Sequence, residues 1–196
     1  LYRQNIKTKI IAITGSCGKT TLKELLGSSL NQLSKVGISP KSYNNKYGVP
    51  LSLFNLDQKN NYGVLEIGMD KKGVIDYLSK IVKPDVSVIT NINYAHAQNF
   101  KNLRQIALAK SEIINNTKVN GFIVLNSDDN FFTLHKKIAN KRNLKILSFG
   151  TNNQNANIKL ISIKKITNKF KATIRVNNLK TYFLISNNFQ NNILNI

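Results

Sequence analysis

"ITGSCGKTTLKELL", residues 13–26, sets a short glycine turn between an apolar run and a helical pattern. Just upstream, "KIIAIT" (9–14) is rich in β-branched residues and bounded by Gly15, so it reads as a buried strand. Downstream, Leu22, Leu25, Leu26, Leu30 and Leu33 recur at helical spacing, which predicts a helix from Lys19 to about Val36. Glycines at 15 and 18 let backbone amides approach an anion closely, and the helix N-terminus favours negative charge there. In that setting Lys19 would reach the β- and γ-phosphates of a nucleotide, and Thr20 would offer its hydroxyl to Mg²⁺. The turn has the form G-x-x-G-K-T, with two residues between the glycines where the usual nucleotide loop has four. A turn that merely caps a helix is the plainer alternative. Cys17 reads as a loop filler, because no base stands near it in sequence.

Beyond this stretch, strands and helices alternate. "NYGVLEIGM" holds a second strand at about 62–67, and "GVIDYLSKIV" (73–82) reads as a helix stopped by Pro84. "DVSVITNI" (85–92) is a third strand, followed by an amphipathic helix in "NLRQIALAKSEIINN" (102–116). "GFIVLN" (121–126), "NFFTLHKKIAN" (130–140) and "LKILSFG" (144–150) give strand, helix and strand. Such alternation predicts an α/β fold, a mostly parallel sheet flanked by helices with a phosphate-binding loop. After Gly150 the pattern changes. "IKLISIKKI", "KFKATIRV" and "KTYFLI" are short strands separated by "TN" and "NN", which predicts a small C-terminal antiparallel meander. The division expected is therefore an α/β core at 1–150, an antiparallel subsheet at 151–186 and the start of a further helix at 187–196.

The 196 residues suffice for one domain with a sizeable core. The chain begins at Leu1 and ends within a polar–apolar pattern, which reads as a piece of something longer. No run approaches the roughly 18 apolar residues of a membrane helix, and no basic-then-apolar leader is present. One cysteine excludes an internal disulfide framework, so a cytoplasmic location is expected. The net charge of +20, from 29 basic and 9 acidic residues, raises the question of nucleic-acid binding. Against it, the lysines are dispersed, arginines are scarce and tryptophan is absent. Anionic small substrates suit the charge equally well, and the expectation is no nucleic-acid partner and no membrane.

"TGSCGKTTLKELL" resembles the ATP loop of the Mur ligases, ATP-dependent amide-forming enzymes of peptidoglycan synthesis. The resemblance continues collinearly through "YNNKYGVPLSLFNL" (43–56), "VLEIGMDKKGVIDYL" (64–78), "PDVSVITNINYAHAQNF" (84–100), "LAKSEI" (108–113) and "VLNSDD" (124–129). It covers about residues 9–195 and implies the central ATP-binding domain, with residues 1–196 a fragment inactive by itself. "NNKYGVPLSL" and "EIGMDKKG" resemble the member that joins D-alanyl-D-alanine to UDP-N-acetylmuramoyl-tripeptide through an acyl phosphate. The implied cofactors are ATP and Mg²⁺, the implied partners those two substrates, and the implied state a monomer.

The chemistry asks for a phosphate cradle, hard oxygen ligands and a cation clamp. Gly15, Ser16, Cys17, Gly18, Lys19, Thr20 and Thr21 would form the cradle. Glu66 stands at the end of the second strand, where ligands gather in open parallel sheets, and the resemblance makes it a metal-binding glutamate. His96 follows the third strand and by resemblance is a second metal ligand; a lone histidine is otherwise an ordinary polar residue. Lys110, by pattern a solvated helix lysine, corresponds to a lysine that is carbamylated in relatives and then ligates metal. Burial that lowers its pKa would favour this, since a carbamate forms from the neutral amine. Lys19, Glu66, His96 and Lys110 are thus the catalytic set, and Thr20, Glu66, His96 and Lys110 the metal set. Asn44 and Asn45 belong by resemblance to a substrate-side loop, although an Asn-driven turn explains them as well. Asn192 and Asn195 resemble family positions near the adenine. Asn126 and Asp128 follow the fourth strand toward the same edge with no assigned role, and His135 reads as structural.

Departures lie at the periphery. Asn93, Tyr94, Gln98 and Asn99 stand where the family carries Gly and Glu, Val74 where an acid is common, and Phe189 and Asn191 where Gly and His are usual. Rival readings are another ligase of the superfamily, such as a folylpolyglutamate synthase, and a nucleotide-binding remnant without catalysis.

Overall fold

The computed structural model describes residues 2–94 and 99–186. A short helix α1 (Tyr2–Asn5) precedes β1 (Lys9–Thr14). Then follow α2 (Lys19–Asn31), β2 (Val36–Ile38), α3 (Gly48–Phe54), β3 (Tyr62–Glu66), α4 (Val74–Val82) and β4 (Val86–Ile89). The chain continues through α5 (Leu103–Asn116), β5 (Phe122–Asn126), α6 (Phe132–Lys141) and β6 (Lys145–Gly150) to three last strands, β7 (Ile158–Ile166), β8 (Lys169–Val176) and β9 (Leu179–Ser186). The nine strands of the described residues form one sheet in the order β2-β3-β1-β4-β5-β6-β7-β8-β9. Pairings from β2 to β7 are parallel; β7, β8 and β9 are antiparallel.

The alternation of side chains along β1 sorts the core into two layers. Ile10 and Ala12 face the larger one, where Val49 and Leu53 of α3, Ile75 and Leu78 of α4 and Ile106 and Ile113 of α5 are buried. Ile11 and Ile13 face the other, where Leu22, Leu26 and Leu30 of α2 pack with Val64 and Val88. Each such aliphatic side chain contributes roughly 1.5–3 kcal/mol on burial. A central strand covered on both faces is why Ile10–Ile13 read as a continuous apolar run.

Besides the short α1, four features depart from or add to the sequence expectation. Helix α2 stops at Asn31 rather than near Val36, and Leu33 lies 81% exposed beyond it. Val36–Ile38 instead forms the edge strand β2, paired to β3 from Val36↔Tyr62 to Ile38↔Val64. Residues 48–54, where the pattern predicts no element, form α3, whose first-turn amides of Tyr47 and Gly48 are accepted by Asn45 Oδ1. The meander extends the main sheet, since β7 pairs with β6 through Phe149↔Ile158. Its two turns begin at Thr167 and Asn177, both with positive φ. No helix among the described residues is long and apolar enough to cross a membrane.

Candidate nucleotide and metal site

The register aligns the carboxyl ends of three adjacent strands. Ile13 lies opposite Glu66 of β3, and Thr14 opposite Ile89 of β4. The segments leaving β1, β3 and β4 therefore meet at one edge. There the chain leaves β1 for strands on one side and β4 for strands on the other, the crevice where open α/β sheets bind ligands.

The turn after β1 is tied to the segment after β4. Ser16 N donates to Asn91 O at 3.0 Å, Cys17 N to Asn91 Oδ1 at 3.0 Å, and Thr90 Oγ1 to Cys17 O at 2.7 Å. Ser16 Oγ donates to Asn93 O and accepts from Asn93 N. A Cβ built on Gly15 would lie 1.8 Å from Thr90 Oγ1, so this close approach requires glycine, and its φ of +148° is one side chains rarely adopt. Gly18, in the left-handed conformation at φ 80°, caps α2, and no side chain caps the helix. The first-turn amides, from Lys19 onward, remain as donors at the positive end of the helix.

Two lysines converge on this turn. Lys19 Nζ donates to Gly15 O at 2.9 Å and Ser16 O at 3.3 Å. From α5, Lys110 Nζ reaches the same Gly15 O at 2.9 Å while only 2% of the residue is exposed. Burial pushes the Lys110 amine down to about 7; the neighbouring Lys19 charge adds to this and Cys17 opposes it. The solvated helix lysine of the sequence pattern is thus a buried one.

Glu66, 1% exposed, is held from both sides. Thr20 Oγ1 donates to its Oε2 at 2.8 Å and Asn44 Nδ2 to its Oε1 at 2.8 Å. Thr20, Glu66 and Asn44, separate in sequence, are thus one cluster. A buried carboxylate beside a hydroxyl, adjoining a phosphate-type turn, fits Mg²⁺, which takes one or two carboxylates and completes its shell with water and phosphate oxygens. No group of three or more His, Cys, Asp or Glu side chains among the described residues makes an all-protein metal cage. His96, Asn192 and Asn195 lie outside the described residues, as does the helix expected at 187–196.

Other candidates fall away from this cluster. Asn45 caps α3 through Oδ1. Asp128 accepts from Thr151 Oγ1 at 2.8 Å, from Asn152 N and Asn153 N, and from Thr151 N, so it secures the turn after β6. Asn126 Oδ1 accepts from Asp128 N in the turn after β5. His135 is buried with Nε2 3.1 Å from Ala107 O, in keeping with a structural role, and burial lowers its pKa. Thr90 and Asn91, which brace the turn, carry no signal in the sequence, because their role depends on β4 lying beside β1.

The Mur ligase middle-domain family model matches residues 13–195. The UDP-N-acetylmuramoyl-tripeptide–D-alanyl-D-alanine ligase of Buchnera aphidicola subsp. Acyrthosiphon pisum is 39% identical over 174 residues, 89% of this chain and 36% of that protein. A crystal structure of MurF from Acinetobacter baumannii superposes with a TM-score of 0.88 at 31% identity, covering 99% of this chain and 42% of that one. MurF ligase from Thermotoga maritima in complex with ADP gives a TM-score of 0.83 at 30% identity, covering 93% and 42%. The chain spans less than half the length of these relatives. With a family match across nearly its whole length and the turn, sheet order and Thr20–Glu66–Asn44 cluster described above, the chain belongs to the Mur ligase middle-domain family.

Proposed function

We propose that this chain is the ATP-handling middle domain of a ligase that joins D-alanyl-D-alanine to UDP-N-acetylmuramoyl-tripeptide in peptidoglycan precursor synthesis. The observation that carries the reading is the convergence of Lys19, Lys110, Thr20 and Glu66 at the end of β1. The relatives described above, one a ligase named for that substrate pair and another solved with ADP bound, support the choice of substrates and nucleotide. In this reading 1–150 is the nucleotide-binding core and 151–186 its antiparallel extension, in a monomer of the cytoplasm.

The residues suit phosphoryl transfer to a carboxylate. The first-turn amides of α2 would bind the phosphate chain of ATP, with Lys19 over the β- and γ-phosphates. Thr20 and Glu66 would hold one Mg²⁺, and Lys110, as its carbamate, would join His96 on a second. Bound Mg²⁺ would neutralise the charge that develops on the transferring phosphoryl group. An oxygen of the tripeptide carboxylate attacks the γ-phosphorus, the bond to the ADP oxygen breaks, and an acyl phosphate results. The amine of D-alanyl-D-alanine then attacks the acyl carbon, phosphate leaves with its bridging oxygen, and the amine gives up a proton. Asn44 sits beside Glu66, where an incoming carboxylate would meet the metal. Asn45, Asn192 and Asn195 complete the assignment on the substrate and adenine sides.

The test is Mg²⁺-dependent phosphate release by the full-length protein. The arms are UDP-N-acetylmuramoyl-tripeptide with D-alanyl-D-alanine, folate with glutamate, and ATP alone, each repeated with Lys19→Ala. Release requiring the first pair and Lys19 is expected. Stimulation by the folate pair alone would make the protein a sibling ligase, and ADP binding with no stimulation would make it a non-catalytic nucleotide binder.

A further inference from the structure

Among the described residues Lys23 and Lys110 are the most enclosed lysines, and of these only Lys110 belongs to the site described above. Lys23, in the second turn of α2, has 0% exposure. Its ammonium carries three N–H donors. Two hydrogen bonds run to backbone carbonyls, Ser39 O at 2.9 Å and Lys41 O, and Glu24 Oε1 stands 3.2 Å from the amine as an ion-pair partner. Enclosing such a group is costly unless every donor is satisfied, and an apolar side chain at this helix position would carry no such requirement.

Both of those carbonyls belong to the backbone that leaves β2, and the segment leads to the Glu66 cluster. Ser39 N donates to Val64 O at 3.0 Å, and Ser39 Oγ accepts from Glu66 N at 3.3 Å. Lys41 has a φ of 39°, a left-handed conformation uncommon for a residue with a side chain. Three residues on, Asn44 donates to Glu66 Oε1, and Asn44 O accepts from Gly68 N at 2.7 Å. One turn further along α2, Gly27 brings the helix against β2: a Cβ there would fall 2.1 Å from Ile38 Cδ1. Thr20 and Lys23, three residues apart, share a helix face. Thr20 touches Glu66 directly, and Lys23 holds the strand-to-loop segment that delivers Asn44 to the other carboxylate oxygen.

We infer that Lys23 is a positioning residue: by holding the carbonyls of Ser39 and Lys41 it sets the 39–45 segment so that Asn44 fixes the Glu66 carboxylate beside Thr20. The inference rests on the proposed function only in taking Glu66 as a ligand of Mg²⁺.

The test uses the full-length protein and the variants Lys23→Met, Asn44→Ala and the double variant. ADP binding is measured by calorimetry across a Mg²⁺ series and in chelator, and amide exchange is followed over residues 39–45. Lys23→Met is expected to raise the Mg²⁺ concentration for half-maximal coupling about tenfold, the scale of an outer-shell metal partner. ADP affinity in chelator should change less than about twofold, because the α2 amides and Lys19 are untouched, and exchange over 39–45 should accelerate. On the Asn44→Ala background the same change should add less than about twofold, since two residues acting through one contact are not additive. An unchanged Mg²⁺ requirement, or a tenfold rise on both backgrounds, overturns the inference. If Lys23→Met does not fold, Lys23→Gln, which keeps a shorter donor, takes its place with the same criteria. A shifted Mg²⁺ requirement without substrate-stimulated phosphate release would sink the proposed function alone. Stimulated release with no shift would sink this inference alone.

Discussion

The amine of Lys110 should lose its proton near physiological pH. Burial is the main cause, Lys19 the second, and together they bring it from the ordinary 10.5 to about 7. That displacement corresponds to roughly 5 kcal/mol of preference for the neutral amine. Between about 7 and 10.5 the folded chain binds fewer protons at this site than the unfolded chain. The site's contribution to stability therefore rises with pH across that window by up to about 1.4 kcal/mol per unit, and its full penalty is present below pH 7. Lys110→Met keeps the length and removes the titration. Wild type should gain about 2–3 kcal/mol on the variant between pH 7 and pH 9. In protein carrying ¹³Cε-lysine, the resonance missing from Lys110→Met should titrate near 7, with Lys19→Met moving its midpoint upward by less than the total shift. Addition of ¹³C-bicarbonate at pH 8 should give a carbamate signal absent from Lys110→Met. A midpoint near 10.5, or a stability difference flat from pH 7 to 9, would refute the reasoning, since burial and the Lys19 charge together outweigh Cys17, the one group that opposes them.

Gly15→Ala places a methyl 1.8 Å from Thr90 Oγ1 and forces a side chain onto a φ of +148°, so the variant should lose about 3 kcal/mol or more. Thermal unfolding beside Gly73→Ala, whose Cβ meets nothing within 4 Å but shares a positive φ, separates crowding from backbone strain. Asp128→Ala should loosen the turn at 151–153, read as faster amide exchange there, with a stability loss of only about 1 kcal/mol because the carboxylate is exposed. Burial pushes the Asp128 carboxyl up, but the Thr151, Asn152 and Asn153 donors outweigh this and hold it below the usual range. Its contribution is therefore present above the ordinary 3.8 and fades as pH falls through the lowered value, which an acid titration of wild type against the variant reads directly.

The central strands are readable because each is buried on both faces, so periodicity and length agree. Helix α2 reads too long because Leu33 keeps the spacing of Leu22, Leu26 and Leu30 while the helix has already ended at Asn31. "VGI" is too short for any period to register. It becomes a strand because β3 offers it an edge and Gly27 admits Ile38, both tertiary facts. Helix α3 is hidden by its own punctuation: Asn45, Gly48 and Pro50 read as a turn. Yet Asn45 caps the helix, and Pro50 falls in the first turn, where its missing N–H is not needed.

The site divides along the same physical line. Thr20 and Glu66 can be chosen from the sequence because each follows a strand whose end must lie at the ligand edge, and the register Ile13↔Glu66 then brings them within 2.8 Å. That half of the carboxylate's environment is set by the sheet. The Asn44 half is set by a loop, and a loop takes its geometry from whatever its backbone carbonyls bind. Lys23 cannot be distinguished from a solvated lysine in the sequence, because "TTLKELL" leaves it one residue from the apolar stripe and the face that α2 buries is decided by where β2 docks. Two lysines that both look solvated in the sequence, Lys23 and Lys110, thus follow one rule: in a strongly basic chain the informative lysines are those enclosed by backbone carbonyls. Here both enclosures lead to the same carboxylate edge, one through Gly15 O and the other through Ser39 O and Lys41 O.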